Sequence, residues 1–244
     1  MAFVTILTND SFKMGVEVLL FSLEQTSMQD NVDVVILVTP QVSQFTRNQL
    51  VRSNRRIKQI EPIENPNAEA HVQGWVDSGY AKLRLWGLLE YSRVVYLDAD
   101  CLVMEPIHEL FEREADFAAA PDVFPPDKFN AGVLVLKPDQ AVYEDMLSKL
   151  NALPSYDGGD TGFLNAYFPD WFSCPAASRL PFAFNAQRTL HWLTAARNPG
   201  YWQAAGPHKI IHYSSNPKPW DSGAKKGELE MIWWQYYLRS RMLG

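Results

Sequence analysis

The chain reads as an α/β protein, with a Rossmann-like mixed sheet whose N-terminal strands are parallel and flanked by helices. Three observations predict this. Short, β-branched apolar runs alternate with segments of helical apolar spacing. The strand–helix–strand–helix–strand rhythm implies crossovers, which a parallel sheet requires. A buried-type run, Arg93 to Leu97, ends in Asp98-Ala99-Asp100, at the edge where open α/β sheets bind their ligands.

The elements follow in order. Ala2 to Thr8 is an apolar strand, and Asp10 and Ser11 supply N-cap chemistry for a helix to about Ser27 carrying Val16, Leu19, Leu20 and Leu23. Val32 to Val38 is a second strand, closed by Thr39-Pro40. A helix from Ser43 to Ser53 and a third strand, Arg56 to Ile60, come next. Glu61 to Ser78 holds Pro62, Pro66 and Gly74 among few apolar residues, so it reads as a long loop of the kind that forms functional lids. Tyr80 to Tyr91 is expected to be helical. Beyond Pro106 the order becomes mixed, with strands at Asp116 to Ala120 and Gly132 to Leu136 around a proline-rich loop, Pro121 to Asn130. Helices are expected at Pro138 to Leu150 and Thr161 to Phe168. A last strand runs from Lys209 to Tyr213. A terminal helix, Glu228 to Arg241, shows Trp233, Trp234, Tyr236 and Tyr237. There is no internal repeat.

The 244 residues suit one sizeable domain. A net charge of −6 and a pI near 5.4 argue against sequence-independent nucleic-acid binding, which needs clustered Lys and Arg. Cys101 and Cys174 read as two reduced thiols of a cytoplasmic protein rather than a disulfide framework. No run approaches the ~20 apolar residues of a membrane span. The start, MAFVTILTND, lacks the pattern of a signal peptide.

Four constellations carry chemistry. Two carboxylates at i and i+2, leaving a buried strand, can converge on one hard cation, Mg²⁺ or Mn²⁺, that bridges the phosphates of a nucleotide. A competing reading is an aspartate-nucleophile phosphatase, but that pair normally follows the first strand of its fold and this one follows about the fourth. His212 ends the last strand and precedes Tyr213-Ser214-Ser215-Asn216-Pro217-Lys218-Pro219-Trp220. Its imidazole would complete an N,O set that favours Mn²⁺, and Lys218 could neutralise a diphosphate. In Tyr156-Asp157-Gly158-Gly159-Asp160-Thr161-Gly162, paired glycines let backbone approach a ligand. Asp157 and Asp160 there either meet sugar hydroxyls and a developing charge at C1 or cap a helix. Asn130, where a loop re-enters a strand, offers an amide to a hydroxyl or serves a turn.

Together these pieces resemble the glycogenin-type enzymes of glycosyltransferase family 8. The matching stretches, from Val4 to about Trp220, come in the family's order: Leu7-Thr8-Asn9-Asp10, Lys82-Leu83 with Trp86, Tyr96 to Asp100, Leu110 to Glu114, Ala119 to Asp122, Phe129 to Val133, Asp157 to Asp160, Leu180-Pro181-Phe182, and His212 through Lys218-Pro219-Trp220. The resemblance implies a GT-A fold in one catalytic domain, with about 1–105 as its nucleotide-binding half and about 106–244 as its acceptor and sugar half. It implies a UDP-sugar donor, Mn²⁺ with Mg²⁺ as the alternative, and retention at the anomeric carbon of a hexose. Leu7, Thr8 and Asn9 would hold the uridine, with Phe12 under the base. Lys82 and Ala99 would line the donor. Asp98, Asp100 and His212 would bind the metal. Asn130, Ala131, Asp157, Gly159 and Asp160 would meet the sugar, with Asp160 nearest the reacting centre. Ser215 and Lys218 would hold the diphosphate. The acceptor would be a carbohydrate, a polyol or a protein hydroxyl, and a homodimer is compatible with the family.

One departure shapes the expectation. Glycogenin glucosylates its own Tyr in the segment that here reads Asn185 to Leu193, without a Tyr, and the chain ends soon afterwards. A separate acceptor is therefore expected, stacked near Trp192 and Trp202, since indole faces pack well on sugars. A module that binds UDP-sugars without turnover is the rival reading.

Overall fold

The computed structural model describes residues 1–27, 31–52, 54–70, 80–224 and 227–243. Its larger sheet has six strands: β1 (Ala2–Leu7), β2 (Asp33–Val38), β3 (Arg55–Gln59), β4 (Val94–Leu97), β6 (Phe117–Pro121) and β7 (Phe129–Leu136), in the order β3-β2-β1-β4-β7-β6. The pairs β1–β2, β2–β3 and β1–β4 are parallel, whereas β7 runs antiparallel to both β4 and β6. The mixed sheet with parallel N-terminal strands is the predicted architecture.

Alternation along the strands explains the layering. Phe3, Leu7, Val34, Ile36, Val95 and Leu97 face one core with Val16, Leu19, Leu20 and Leu23 of α1 (Lys13–Thr26). Val4, Ile6, Val35, Leu37, Val94 and Tyr96 face another, with Leu85, Trp86 and Phe163. Successive side chains point to opposite faces, so runs apolar at every position are buried on both.

A second, three-stranded sheet orders β5 (Cys101–Val103), β9 (Ile210–His212) and β8 (Ala186–Gln187). β5 and β8 were not expected, because runs of two or three residues carry no periodicity. Their register sets Cys101 and Gln187 each opposite His212. A third core joins α1 to the terminal helix α7 (Glu228–Leu243) through Val18, Tyr213, Leu229 and Trp233.

Several boundaries differ from expectation. Tyr80 to Tyr91 is a 3₁₀ helix over Ala81–Gly87, not an α-helix. Ala81, Lys82, Leu83, Leu85 and Trp86 are all buried, which is more than one face of a 3.6-residue helix can bury. The remaining helices are α2 (Gln44–Leu50), α3 (Gln140–Ser148), α4 (Asp160–Tyr167), α5 (Arg188–Thr194) and α6 (Gly200–Ala204). Ser53 and the 71–78 part of the long loop lie outside the described residues. Among the described residues no helix is long and apolar enough to cross a membrane. Cys101 and Cys174 are both free.

Candidate active site

The end of β1, the end of β4, the start of β7 and the end of β9 meet at one edge, because β7 runs antiparallel to β4 and enters where β4 leaves. The Asp98 amide donates to the Gly132 carbonyl at 2.8 Å. A cavity of about 410 Å³ opens there, lined by Thr8, Phe12, Lys82, Asp98, Ala99, Asp100, Asn130, Asp157, Gly159, Asp160, His212, Ser215 and Lys218. Three expected residues do not line it. Leu7 and Ala131 are fully buried in the two cores, and exposed Asn9 caps a 3₁₀ turn by accepting from the Ser11 amide at 3.0 Å.

His212 Nε2 lies 3.2 Å from Asp100 Oδ1 and 3.7 Å from Asp98 Oδ2. Asn185 decides which nitrogen faces the carboxylates. Its Nδ2 donates to Asn130 Oδ1 at 2.9 Å, and Asn130 Oδ1 also accepts from the Gly132 amide at 2.9 Å. Asn185 Oδ1 is thereby turned to accept from His212 Nδ1 at 2.8 Å. With the proton on Nδ1, the Nε2 lone pair points at the two aspartates, the tautomer a metal ligand needs. A Cβ on Gly132 would run into His212 Cε1, so only glycine leaves room for the ring.

Two lysines flank the pair. Lys82 Nζ lies 3.2 Å from Asp98 Oδ1 and 3.3 Å from Asp160 Oδ2. Lys218 Nζ lies 2.5 Å from Asp100 Oδ2 and donates to the Tyr213 carbonyl at 2.9 Å. Burial pushes the Asp100 carboxyl up, but Lys218 and His212 outweigh it and hold Asp100 well below the usual carboxylate range. At Asp160 burial wins over Lys82, and the carboxyl is raised. Apart from its ion pair with Lys82, Asp160 Oδ2 is buried without a hydrogen-bond partner. Burial, then Asp98, raises the Tyr96 phenol, which donates to Asp98 Oδ1 at 2.5 Å.

The residues fit a divalent cation. Asp98, Asp100 and Nε2 of His212 form a hard O,O,N set, and five carboxylates (Asp98, Asp100, Asp122, Asp157, Asp160) line the cavity against two lysines already engaged. A diphosphate entering alone would meet this excess of negative charge. Donor atoms of Cys101 also lie within 4.8 Å of those of Asp100 and His212. Burial pushes that thiol well above its usual range, however, and Sγ donates to the Gly132 carbonyl at 3.8 Å, so it packs the wall as a neutral group.

Asp157 takes the capping arrangement. Its Oδ1 accepts from Ser155 Oγ at 2.8 Å and from the amides of Gly159 and Gly162 at 2.9 Å, so this oxygen organises the turn before α4. Trp202 is not available to an acceptor. It is 5% exposed and stacks on His208 at 3.9 Å, while Trp192 is 42% exposed and covers the Arg188 guanidinium at 4.0 Å.

Sequence reasoning missed Tyr96, Gln187 and Thr189 on the wall and Asn185 behind it. The one signal for Asn185 was its place three residues after Leu180-Pro181-Phe182.

This fold, with a carboxylate pair at the end of β4, is the GT-A fold of glycosyltransferases. The galactosyltransferase LgtC superposes with a TM-score of 0.70 at 17% identity, over 98% of this chain and 96% of that one. The glycosyltransferase GlyE of Streptococcus pneumoniae superposes with a TM-score of 0.69 at 22% identity, over 97% and 60%. The chain belongs to the family described as Glycosyl transferase family 8, whose profile matches residues 3–224. It is 34% identical to mouse glycogenin-1 over 224 residues, 90% of this chain and 65% of the mouse protein. It is 33% identical to inositol phosphorylceramide glucuronosyltransferase 1 of Arabidopsis thaliana over 255 residues, 97% of this chain and 43% of that protein. The chain thus spans roughly half to two thirds of the length of these curated relatives.

Proposed function

We propose that this chain is a retaining glycosyltransferase that moves a neutral hexose, glucose or galactose, from a UDP-sugar to a separate acceptor hydroxyl. The observation that carries this reading is that His212 Nε2 lies 3.2 Å from Asp100 Oδ1 and 3.7 Å from Asp98 Oδ2, in one cavity with Lys82 and Lys218. Family membership supports it.

Asp98, Asp100 and His212 would hold Mn²⁺, or Mg²⁺ in its place. When bound, the cation supplies positive charge beside the leaving UDP. Thr8 and Phe12 bind the uridine end. Lys218 would meet the diphosphate and stabilise its growing charge. Asn130 and Asp160 bind the sugar, and Asp160, paired with Lys82, stands beside the positive charge that develops at C1. The acceptor is a carbohydrate, a polyol or a protein hydroxyl. A neutral hexose suits a cavity lined by five aspartates, Asp98, Asp100, Asp122, Asp157 and Asp160, against the two lysines Lys82 and Lys218. A hexuronate would meet like charge there.

The test is UDP release from a panel of UDP-sugars, with Mn²⁺ and with chelator. The expected result is chelator-sensitive release from one neutral UDP-hexose, abolished by Asp100→Asn. Release indifferent to chelator would overturn the metal assignment. UDP binding without release from any donor, even with acceptors supplied, would favour a binding module.

A further inference from the structure

Arg188 stands outside the cavity wall and is fully buried at the first position of α5. Its Nη1 donates to Glu230 Oε1 of α7 at 2.9 Å. Its Nη2 donates to the carbonyls of Ser215 at 2.6 Å and Pro217 at 2.9 Å, with Ser215 Oγ at 3.3 Å. The guanidinium lies 4.0 Å from the Trp192 ring and 5.3 Å from the Tyr213 ring. Tyr213 OH in turn donates to the Leu229 carbonyl at 2.6 Å.

A buried ion pair is a poor way to gain stability, because well-packed apolar residues of the same volume often do as well or better. What this one does specify is position. Arg188 grips two carbonyls of one short loop, and the next residue along is Lys218. The same loop is pinned from its other side, where Lys218 Nζ donates to the Tyr213 carbonyl and the Lys218 amide donates to Asp221 Oδ2 at 2.7 Å. The carboxylate sits on one guanidinium nitrogen and the two carbonyls on the other, a planar spread that the single nitrogen of an ammonium does not reproduce.

We infer that Arg188, anchored by Glu230, is a positioning residue for the donor diphosphate: it fixes the Ser215–Lys218 turn, and through it α5 and the terminal helix become part of the donor site. This rests on the donor-site reading above. Lys218 would reach the second phosphate of UDP, so disturbing the turn should weaken the diphosphate contact while leaving the uridine end intact.

The experiment compares the binding of UDP and of UMP, each with Mn²⁺, by calorimetry for the wild-type chain, Arg188→Lys and Glu230→Gln. Loss of the forked contact should lower UDP affinity about tenfold in Arg188→Lys while UMP stays within about twofold. Glu230→Gln, which keeps an acceptor but removes the counter-charge, should shift the UDP-to-UMP ratio in the same direction by less. A merely structural arginine predicts that both affinities fall together or that neither does, and either result overturns the inference. If Arg188→Lys does not fold, the ratio in Glu230→Gln decides by the same criterion. A wild-type chain that binds neither nucleotide overturns the donor-site reading itself, an outcome distinct from normal wild-type binding with an unmoved ratio.

Discussion

Asn185 Oδ1 accepts from His212 Nδ1 at 2.8 Å, and this contact selects the tautomer whose Nε2 faces Asp98 and Asp100. Replacing it removes the partner that selects the tautomer. Asn185→Ala should weaken Mn²⁺ binding about 10- to 100-fold, as outer partners of ligating histidines typically do. Titration of the free Mn²⁺ signal by electron paramagnetic resonance checks this. Unaltered affinity would show that the ring is oriented by packing alone.

Packing does contribute, through Gly132. A Cβ there collides with the His212 ring, so the ring or the β7 backbone must shift. Gly132→Ala should cost about 1–3 kcal/mol, the usual penalty of overpacking. It should also reduce metal-dependent turnover by more than its loss of folded protein explains. Urea unfolding alongside UDP release per folded molecule separates the two effects.

The Asp100 carboxyl lies well below its usual range because Lys218 and His212 outweigh its burial. A depressed folded value favours the ionised form in the native state. The stabilisation is therefore present above the unfolded value, about 3.9, and is lost as pH falls through and below it. In metal-free protein, the urea midpoint of the wild type should fall more steeply from pH 5 to pH 3 than that of Asp100→Asn. Parallel curves would mean that the ion pair with Lys218 adds nothing to folding.

Trp202 and Trp192, neighbours in the expected acceptor region, should behave differently. Trp202 packs against His208, with His191 edge-on at 5.6 Å. Trp202→Ala should destabilise the chain by about 3–5 kcal/mol while the acceptor KM of the folded fraction is unchanged. A raised acceptor KM with normal stability would return Trp202 to a role in acceptor binding.

Much of this protein could be read from its residues in order. The runs Ala2 to Thr8 and Val32 to Val38 are apolar at almost every position, which only strands buried on both faces require, and so the parallel half of the sheet was legible. Asp98-Ala99-Asp100 was legible because strand end and ligand edge coincide in such sheets. These signals are local: they arise from periodicity and from neighbours a few residues apart. The 3₁₀ form of Ala81–Gly87 and the two short strands β5 and β8 were not legible. Each is set by what packs on it rather than by its own pattern.

The active-site arrangement belongs to the tertiary structure. Cys101 pairs with His212 across more than a hundred residues, and that register brings an imidazole to Asp100. Asn185 and Asn130, also far apart in the chain, meet to set its tautomer. Sequence determined which chemical groups the chain carries and which strand ends present them. Only folding decided their distances, protonation and orientation, because hydrogen bonds and burial act between groups brought together in space, whatever their separation along the chain.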